Sequence, residues 1–239
     1  MIELSTKEIN SEGFTIIEKI YSEPEIEKLI SLIDETSSNK IKKATFRKSE
    51  DLFAIRQFHK EFPETLPFIF NKNLSNILSN MFGDDYFITK SIYFDKPEKS
   101  NWFVAYHQDL TISVDRKMEL DYFTNWTVKQ NQFAVQPPVS ILEKNFTVRI
   151  HLDTTTRRNG ALKVMRNSHS KGILRADNLK IENEAVCEVE KGGIMIMKPL
   201  LLHASDKTTN NQRRRVIHIE FSNQELPKGL EWSEKSPLT

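Results

Sequence analysis

The chain has 239 residues, enough to bury a sizeable core. Its 34 basic and 33 acidic side chains nearly cancel, and a net charge of +1 leaves no global field to recruit nucleic acid or an anionic membrane surface. A hydrophobic fraction of 38% beside 28% charged residues excludes a disordered chain, and no run approaches the ~18 apolar residues of a membrane span.

The opening "MIELSTKEINSEGF" carries charges and no apolar signal-peptide core, so a soluble, cytoplasmic protein is expected. Residues 1–83 read as a mostly helical part. In "SEPEIEKLISLIDE", Ser22 and Glu25 form a capping box with Pro24 in the first turn. Ile26, Leu29, Ile30 and Ile33 then make an apolar stripe at helical spacing. Residues 49–62 and 67–83 are predicted as two further helices, the second ending at Gly83.

After Gly83 the apolar period shortens from about 3.6 to 2. Strands are predicted over 86–97, 103–114, 146–153, 161–167, 185–192, 193–205 and 213–221, with turn signals such as Asn159-Gly160 and Gly192-Gly193 between them. Residues 115–145 break the period and carry Pro137-Pro138, and so read as an insertion. The expected fold is α+β and mainly β: a double-stranded β-helix of the jelly-roll or cupin-like type over 84–225, with the N-terminal helices packed on one sheet. One domain over 1–239 accounts for the pattern. The single cysteine, Cys187, lies in an alternating stretch and reads as a small core residue.

"YHQDL" places His107 and Asp109 two apart in a predicted strand, on one face. Alone, the pair is as compatible with an ordinary polar face as with a metal site. His203 follows the apolar run "IMIMKPLLL" at a strand end, where a third ligand could stand. Two histidines and one carboxylate with open positions suit non-haem Fe(II) and dioxygen chemistry. A co-substrate such as 2-oxoglutarate then needs a cation for its far carboxylate, and guanidinium fits carboxylate best. In "RRRVIHIEF", alternation puts Arg214, Val216 and His218 on one face and Arg213, Arg215, Ile217 and Ile219 on the other. A solvated basic turn is the alternative for the three arginines.

The combination of His107, Asp109, a distal His203 and Arg214 eleven residues later resembles the phytanoyl-CoA dioxygenase family of Fe(II)/2-oxoglutarate oxygenases. "FDKPEKSNWFVAYHQDLTISV", "NGALKVMRNSHSKG" and "PLLLHASDKTTNNQRRRVIHIEF" are similar to that family's metal, turn and co-substrate segments, and the likeness covers most of residues 10–232. It implies iron on His107, Asp109 and His203, and 2-oxoglutarate on Arg214 with help from Ser205, Arg215 being the rival one register away. It also implies consumption of O₂, with succinate and CO₂ as co-products. Related halogenases have Gly or Ala where Asp109 stands, so the carboxylate implies hydroxylation or another oxidation. The family's Pro-Gly-Ser-His turn reads Arg166-Asn167-Ser168-His169 here; Asn tolerates a left-handed backbone, and His169 is expected to pack under the turn.

For the substrate, Arg149 and His151 share a face of strand 146–153, and Arg149 has Asp153 as a possible ion-pair partner instead. Trp126, Lys129 and Gln136 in the insertion are candidate lid contacts. Arg149 and Lys129 suit a small anionic metabolite. The competing expectation is a cupin-like protein that binds without catalysis or holds a different metal.

Overall fold

The computed structural model describes residues 2–40, 45–48, 53–98, 102–129, 132–175, 180–227 and 229–238. The N-terminal part runs α1 (Ile2–Glu12), β1 (Phe14–Ile17), α2 (Glu23–Lys40), β2 (Phe46–Lys48), β3 (Phe53–Arg56), α3 (Phe58–Glu61), α4 (Leu66–Ile69) and α5 (Lys72–Phe82). At the start of α2, the backbone N–H and the hydroxyl of Ser22 both donate to Glu25 Oε2, at 2.8 and 2.6 Å. Ile26, Leu29, Ile30 and Ile33 are buried as their spacing requires, each contributing about 1.5–3 kcal/mol. The part is less helical than expected. Within 49–62, residues 49–52 lie outside the described residues; Phe53–Arg56 pairs with the next strand, and Gln57, left-handed at φ 53°, separates it from the single turn of α3. The 67–83 helix is broken before α5, where Asn71 caps the new start by accepting from the Leu74 N–H at 2.9 Å. Helix α1 and strand β1 had no clear periodic signal.

The chain continues through β4 (Phe87–Lys96), β5 (Val104–His107), β6 (Ile112–Val114), β7 (Thr124–Lys129), β8 (Gln132–Gln136), α6 (Val139–Lys144), β9 (Phe146–His151), β10 (Leu162–Met165), β11 (Glu184–Cys187), β12 (Ile194–Met197), β13 (His203–Ser205), β14 (Arg214–Ser222) and β15 (Ser236–Pro237). Among the described residues the major sheet has the order β1-β12-β9-β14-β4-β3-β2, with β15 also on β4. The minor sheet is β11-β10-β13-β5. All pairings are antiparallel, and the two sheets face each other as a jelly roll. Val148, Ile150, Ile217, Ile219 and Phe221 turn outward from the major sheet into one core with Ile26, Leu29, Phe58 and Leu74. The helices therefore cover one sheet, which leaves the opposite faces of β9 and β14 to look between the sheets.

Two predicted strands are each split. Residues 103–114 change sheet after His107, because Gln108 and Asp109 bond to loop carbonyls rather than to a ladder. Residues 193–205 break at Lys198-Pro199, where a turn (Leu201 N–H to Lys198 carbonyl, 3.0 Å) carries the chain from β12 in the major sheet to β13 in the minor. Residues 115–145 are built into the fold as β7, β8 and α6; with β6 the two strands make a third sheet, β6-β8-β7, packed around Phe123, Val135, Leu142 and Trp232. Cys187 is buried and free, its thiol pushed up to about 12 by burial. No described helix is long and apolar enough to cross a membrane.

The C-terminal segment is tied down by buried Glu234, whose Oε2 accepts from the Ser91 N–H at 2.9 Å and the Ser91 hydroxyl at 3.1 Å, 3.4 Å from His59 Nδ1. Glu234→Ala leaves the Ser91 N–H without its acceptor, and a loss of about 2 kcal/mol in denaturant unfolding is expected.

Candidate metal centre

His107 ends β5 and His203 begins β13, and the ladder sets them directly opposite each other. Their ring centroids are 4.2 Å apart. Each ring donates its Nδ1–H to the carbonyl two residues earlier, His107 to Ala105 and His203 to Leu201, both at 2.9 Å. A carbonyl only accepts, so the proton is fixed on Nδ1 and the lone pair on Nε2. Both Nε2 atoms face Asp109, at 3.8 Å from Oδ1 and from Oδ2 respectively. These gaps are too long for hydrogen bonds, yet two bonds of about 2.0–2.2 Å to one shared ion span them. The three ligand atoms lie within 4.8 Å of one another.

Burial alone would raise the Asp109 carboxyl, but His203, His218, Lys90 and His107 outweigh it and hold it at about 2. Burial lowers the His203 imidazole to about 4 against the pull of Asp109. His203 and Asp109 are thus favoured as neutral imidazole and ionised carboxylate, the forms that ligate.

The chain holds the ligands through what lies between them. Gln108 points away, as alternation predicts, and is buried. Its Nε2 donates to Gly172 O at 2.8 Å and Leu200 O at 2.6 Å, while its Oε1 accepts from the Leu174 N–H at 2.8 Å. Asp109 itself donates its N–H to Pro199 O at 2.9 Å. Gln108→Ala frees this segment, and metal affinity should fall roughly tenfold by calorimetric titration with Co(II). The Arg-Asn-Ser-His turn keeps its geometry: Asn167 is left-handed at φ 59°. His169 packs under it, with Nε2 3.1 Å from the Asn10 carbonyl.

From the triad a cavity of about 150 Å³ opens between the sheets. Ile92, Phe94, Val104 and Leu162 supply apolar wall. At one end Arg214, buried on β14, donates to the Gly160 carbonyl, and the Ser205 hydroxyl donates to the same oxygen at 3.0 Å. Gly160 has φ +84°, and a Cβ there would sit 2.8 Å from the Asp206 carbonyl, so the approach needs glycine. Arg214 Nε is buried without a partner, and among the described residues no carboxylate pairs with this guanidinium. Burial and neighbouring Arg149 push its pKa down to about 9.

The other arginines resolve the register. Arg213 pairs with Asp95, and Arg215 with Asp153 at 2.7 Å, both on the opposite face of β14. Asp153 is therefore not the partner of Arg149, which lines the cavity instead. His203 and Arg214, eleven residues apart, lie on different sheets facing one cavity.

Among the described side chains, His151, Trp126 and Gln136 do not line the cavity. His151 is buried beyond it, with Nδ1 2.7 Å from the Thr155 hydroxyl. Trp126 packs into the core of the third sheet, and Gln136 accepts from Asn125 Nδ2 at 2.8 Å. Lys129 closes β7, and its side chain lies outside the described residues. Sequence reasoning missed Lys90, His218 and Glu220, which line the wall opposite the triad. Alternation already put His218 beside Arg214, and a lysine inside the apolar strand "YFITKSIYF" was the signal for Lys90.

Comparison with solved structures gives the same fold at low identity. EctD from S. alaskensis, solved with 2-oxoglutarate and 5-hydroxyectoine, is 15% identical over 91% of this chain and 74% of its own, with a TM-score of 0.70. The epimerase SnoN from nogalamycin biosynthesis is 9% identical over 100% and 98%, with a TM-score of 0.71. The carbocyclase SnoK from the same biosynthesis is 13% identical over 92% and 83%, with a TM-score of 0.66. No curated protein matches the chain. The family model described as phytanoyl-CoA dioxygenase (PhyH) matches residues 9–216, most of the length, and the chain belongs to that family.

Proposed function

We propose that the protein is an Fe(II)- and 2-oxoglutarate-dependent oxygenase that hydroxylates an unactivated C–H bond of a small anionic metabolite, releasing succinate and CO₂. The observation that carries this reading is one cavity holding both a His-Asp-His donor set and a buried guanidinium without a carboxylate. Two imidazole nitrogens and one carboxylate, with positions left open, fit Fe(II). Arg214 and Ser205 fit the far carboxylate of a dicarboxylic co-substrate, which would fill the unpartnered donors. The 2-oxoglutarate and 5-hydroxyectoine of the EctD structure are consistent with such an occupant.

Iron and 2-oxoglutarate, when bound, supply the oxidising power to break a C–H bond with O₂. The chain's part is geometric. His107, Asp109 and His203 hold the metal from one side, and their fixed tautomers keep three lone pairs converging. Arg214 and Ser205 orient the co-substrate, while Ile92, Phe94, Val104 and Leu162 keep water out. Asp109 occupies the position a halide would need, which supports hydroxylation over halogenation. The fold also serves an epimerase and a carbocyclase, so the product has to be read directly. Supplying Fe(II), 2-oxoglutarate and O₂ with a panel of small carboxylates should raise succinate formation for some members, each gaining one oxygen by mass. Succinate formation with no member oxygenated would contradict hydroxylation.

A further inference from the structure

The wall opposite the ligand triad carries a connected run of side chains on three adjacent strands. The register sets His218 beside Arg149 of β9, and Glu220 beside Lys90 of β4. Arg149 Nη1 lies 3.0 Å from His218 Nδ1. A guanidinium only donates, so Nδ1 is the acceptor and the imidazole proton sits on Nε2. That Nε2–H faces Glu220 Oε1 at 3.2 Å, and Lys90 Nζ donates to the same oxygen at 2.6 Å. The run therefore joins two cations to one carboxylate through an imidazole that is neutral. Lys90 is compensated directly by Glu220. Arg149 is 7% exposed, its Nε is buried without a partner, and among the described residues no carboxylate pairs with it.

The charge balance of the whole cavity points to the same residue. Among the described residues that line the cavity, Lys90, Arg149 and Arg214 face two carboxylates, Asp109 and Glu220. A divalent metal and a dianionic co-substrate cancel each other, so the filled site keeps one positive charge. With Arg214 assigned to the co-substrate, that charge sits on Arg149. An uncompensated cation in a dry wall is costly to keep unless a ligand neutralises it.

Resting on the oxygenase reading above, we infer that Arg149 is a second anion-binding position that takes the single carboxylate of the primary substrate. His218, Glu220 and Lys90 are positioning residues that hold the guanidinium with its free edge toward the cavity. The substrate class is a monocarboxylic acid, since a planar carboxylate matches the paired N–H groups of guanidinium.

The test uses the full chain loaded with Mn(II) and 2-oxoglutarate, and measures paramagnetic relaxation of the methyl protons of butyrate and of its uncharged isostere butyramide. Wild type should relax butyrate roughly tenfold more at equal concentration, as a charge-assisted hydrogen bond implies. Arg149→Gln should abolish that preference and leave 2-oxoglutarate affinity within about threefold. Glu220→Gln should lower the thermal midpoint and reduce the preference while 2-oxoglutarate affinity stays within about threefold, a split between the two ligands that general destabilisation does not give. A wild type indifferent between the two probes overturns the inference, whatever the variants do. So does an Arg149→Gln protein that keeps its butyrate preference but loses tenfold or more in 2-oxoglutarate affinity, for Arg149 would then serve the co-substrate. Failure of wild type to bind Mn(II) and 2-oxoglutarate at all is a separate result, which removes the oxygenase reading and the inference with it.

Discussion

Arg214→Gln is expected to weaken 2-oxoglutarate binding by about 100-fold while metal affinity stays within about threefold. The magnitude follows from truncating one partner of a desolvated charge pair, roughly 2–5 kcal/mol. Arg214 is buried; among the described residues its one acceptor is the Gly160 carbonyl, and Nε has none. A carboxylate arriving there meets donors that have already lost their water. Arg215→Gln is the control. Arg215 is held on the other face by three bonds to Asp153, two at 2.9 Å and one at 2.7 Å. Its loss should cost about 1–3 kcal/mol of stability and leave co-substrate affinity unchanged. Calorimetric titration of Mn(II)-loaded protein, beside denaturant unfolding, separates the two outcomes. Equal loss of affinity in both variants would mean that general loosening, and not the guanidinium, sets binding.

Asp109→Ala should lower Co(II) affinity by at least ~100-fold, exceeding the usual effect of an outer-shell partner because a ligand is lost outright. It also removes one of the two carboxylates facing Lys90, Arg149 and Arg214, so the remaining field repels a cation further. Metal-free stability should move the other way or not at all. Among the described residues no side chain donates a hydrogen bond to this carboxylate, and its two nearest polar atoms are imidazole lone pairs at 3.8 Å. A half-buried carboxylate kept without protein donors is held for a ligand rather than for the fold. The thermal midpoint of metal-free Asp109→Ala should therefore equal or exceed that of wild type. A large drop would instead assign Asp109 a structural role.

Much of this was legible before any coordinates. Period-2 alternation put Arg214 and His218 on one face and Arg215 on the other, but it left open which face looks inward; in the fold Arg214 and His218 line the cavity and Arg215 pairs with Asp153. The capping box at Ser22 and the left-handed Asn167 were readable because each depends on its immediate neighbours alone. The errors arose where distant partners decide. Residues 53–56 became a strand because the open edge of β4 was available for pairing, which no local period reveals. "FVAYHQDLTISV" and "GIMIMKPLLLHAS" each read as one strand, and their breaks at Gln108 and Pro199 come from carbonyls of other segments and a change of sheet. The order within 115–145 was not legible because its irregular polar run hides the apolar anchors Phe123, Val135 and Leu142, which pack it as a sheet. The Arg149–His218–Glu220–Lys90 run escaped notice because its members come from three strands more than fifty residues apart, joined only by register.

The most direct test of the central claim is the visible spectrum of the protein mixed anaerobically with Fe(II) and 2-oxoglutarate. Chelation of the keto acid to iron on His107, Asp109 and His203 should give a metal-to-ligand charge-transfer band, absent in Asp109→Ala and in His203→Ala. The wild-type band should decay on admitting O₂ as succinate appears. No band in wild type, or an undiminished band in either variant, would contradict the assignment of this cavity as the iron and 2-oxoglutarate site.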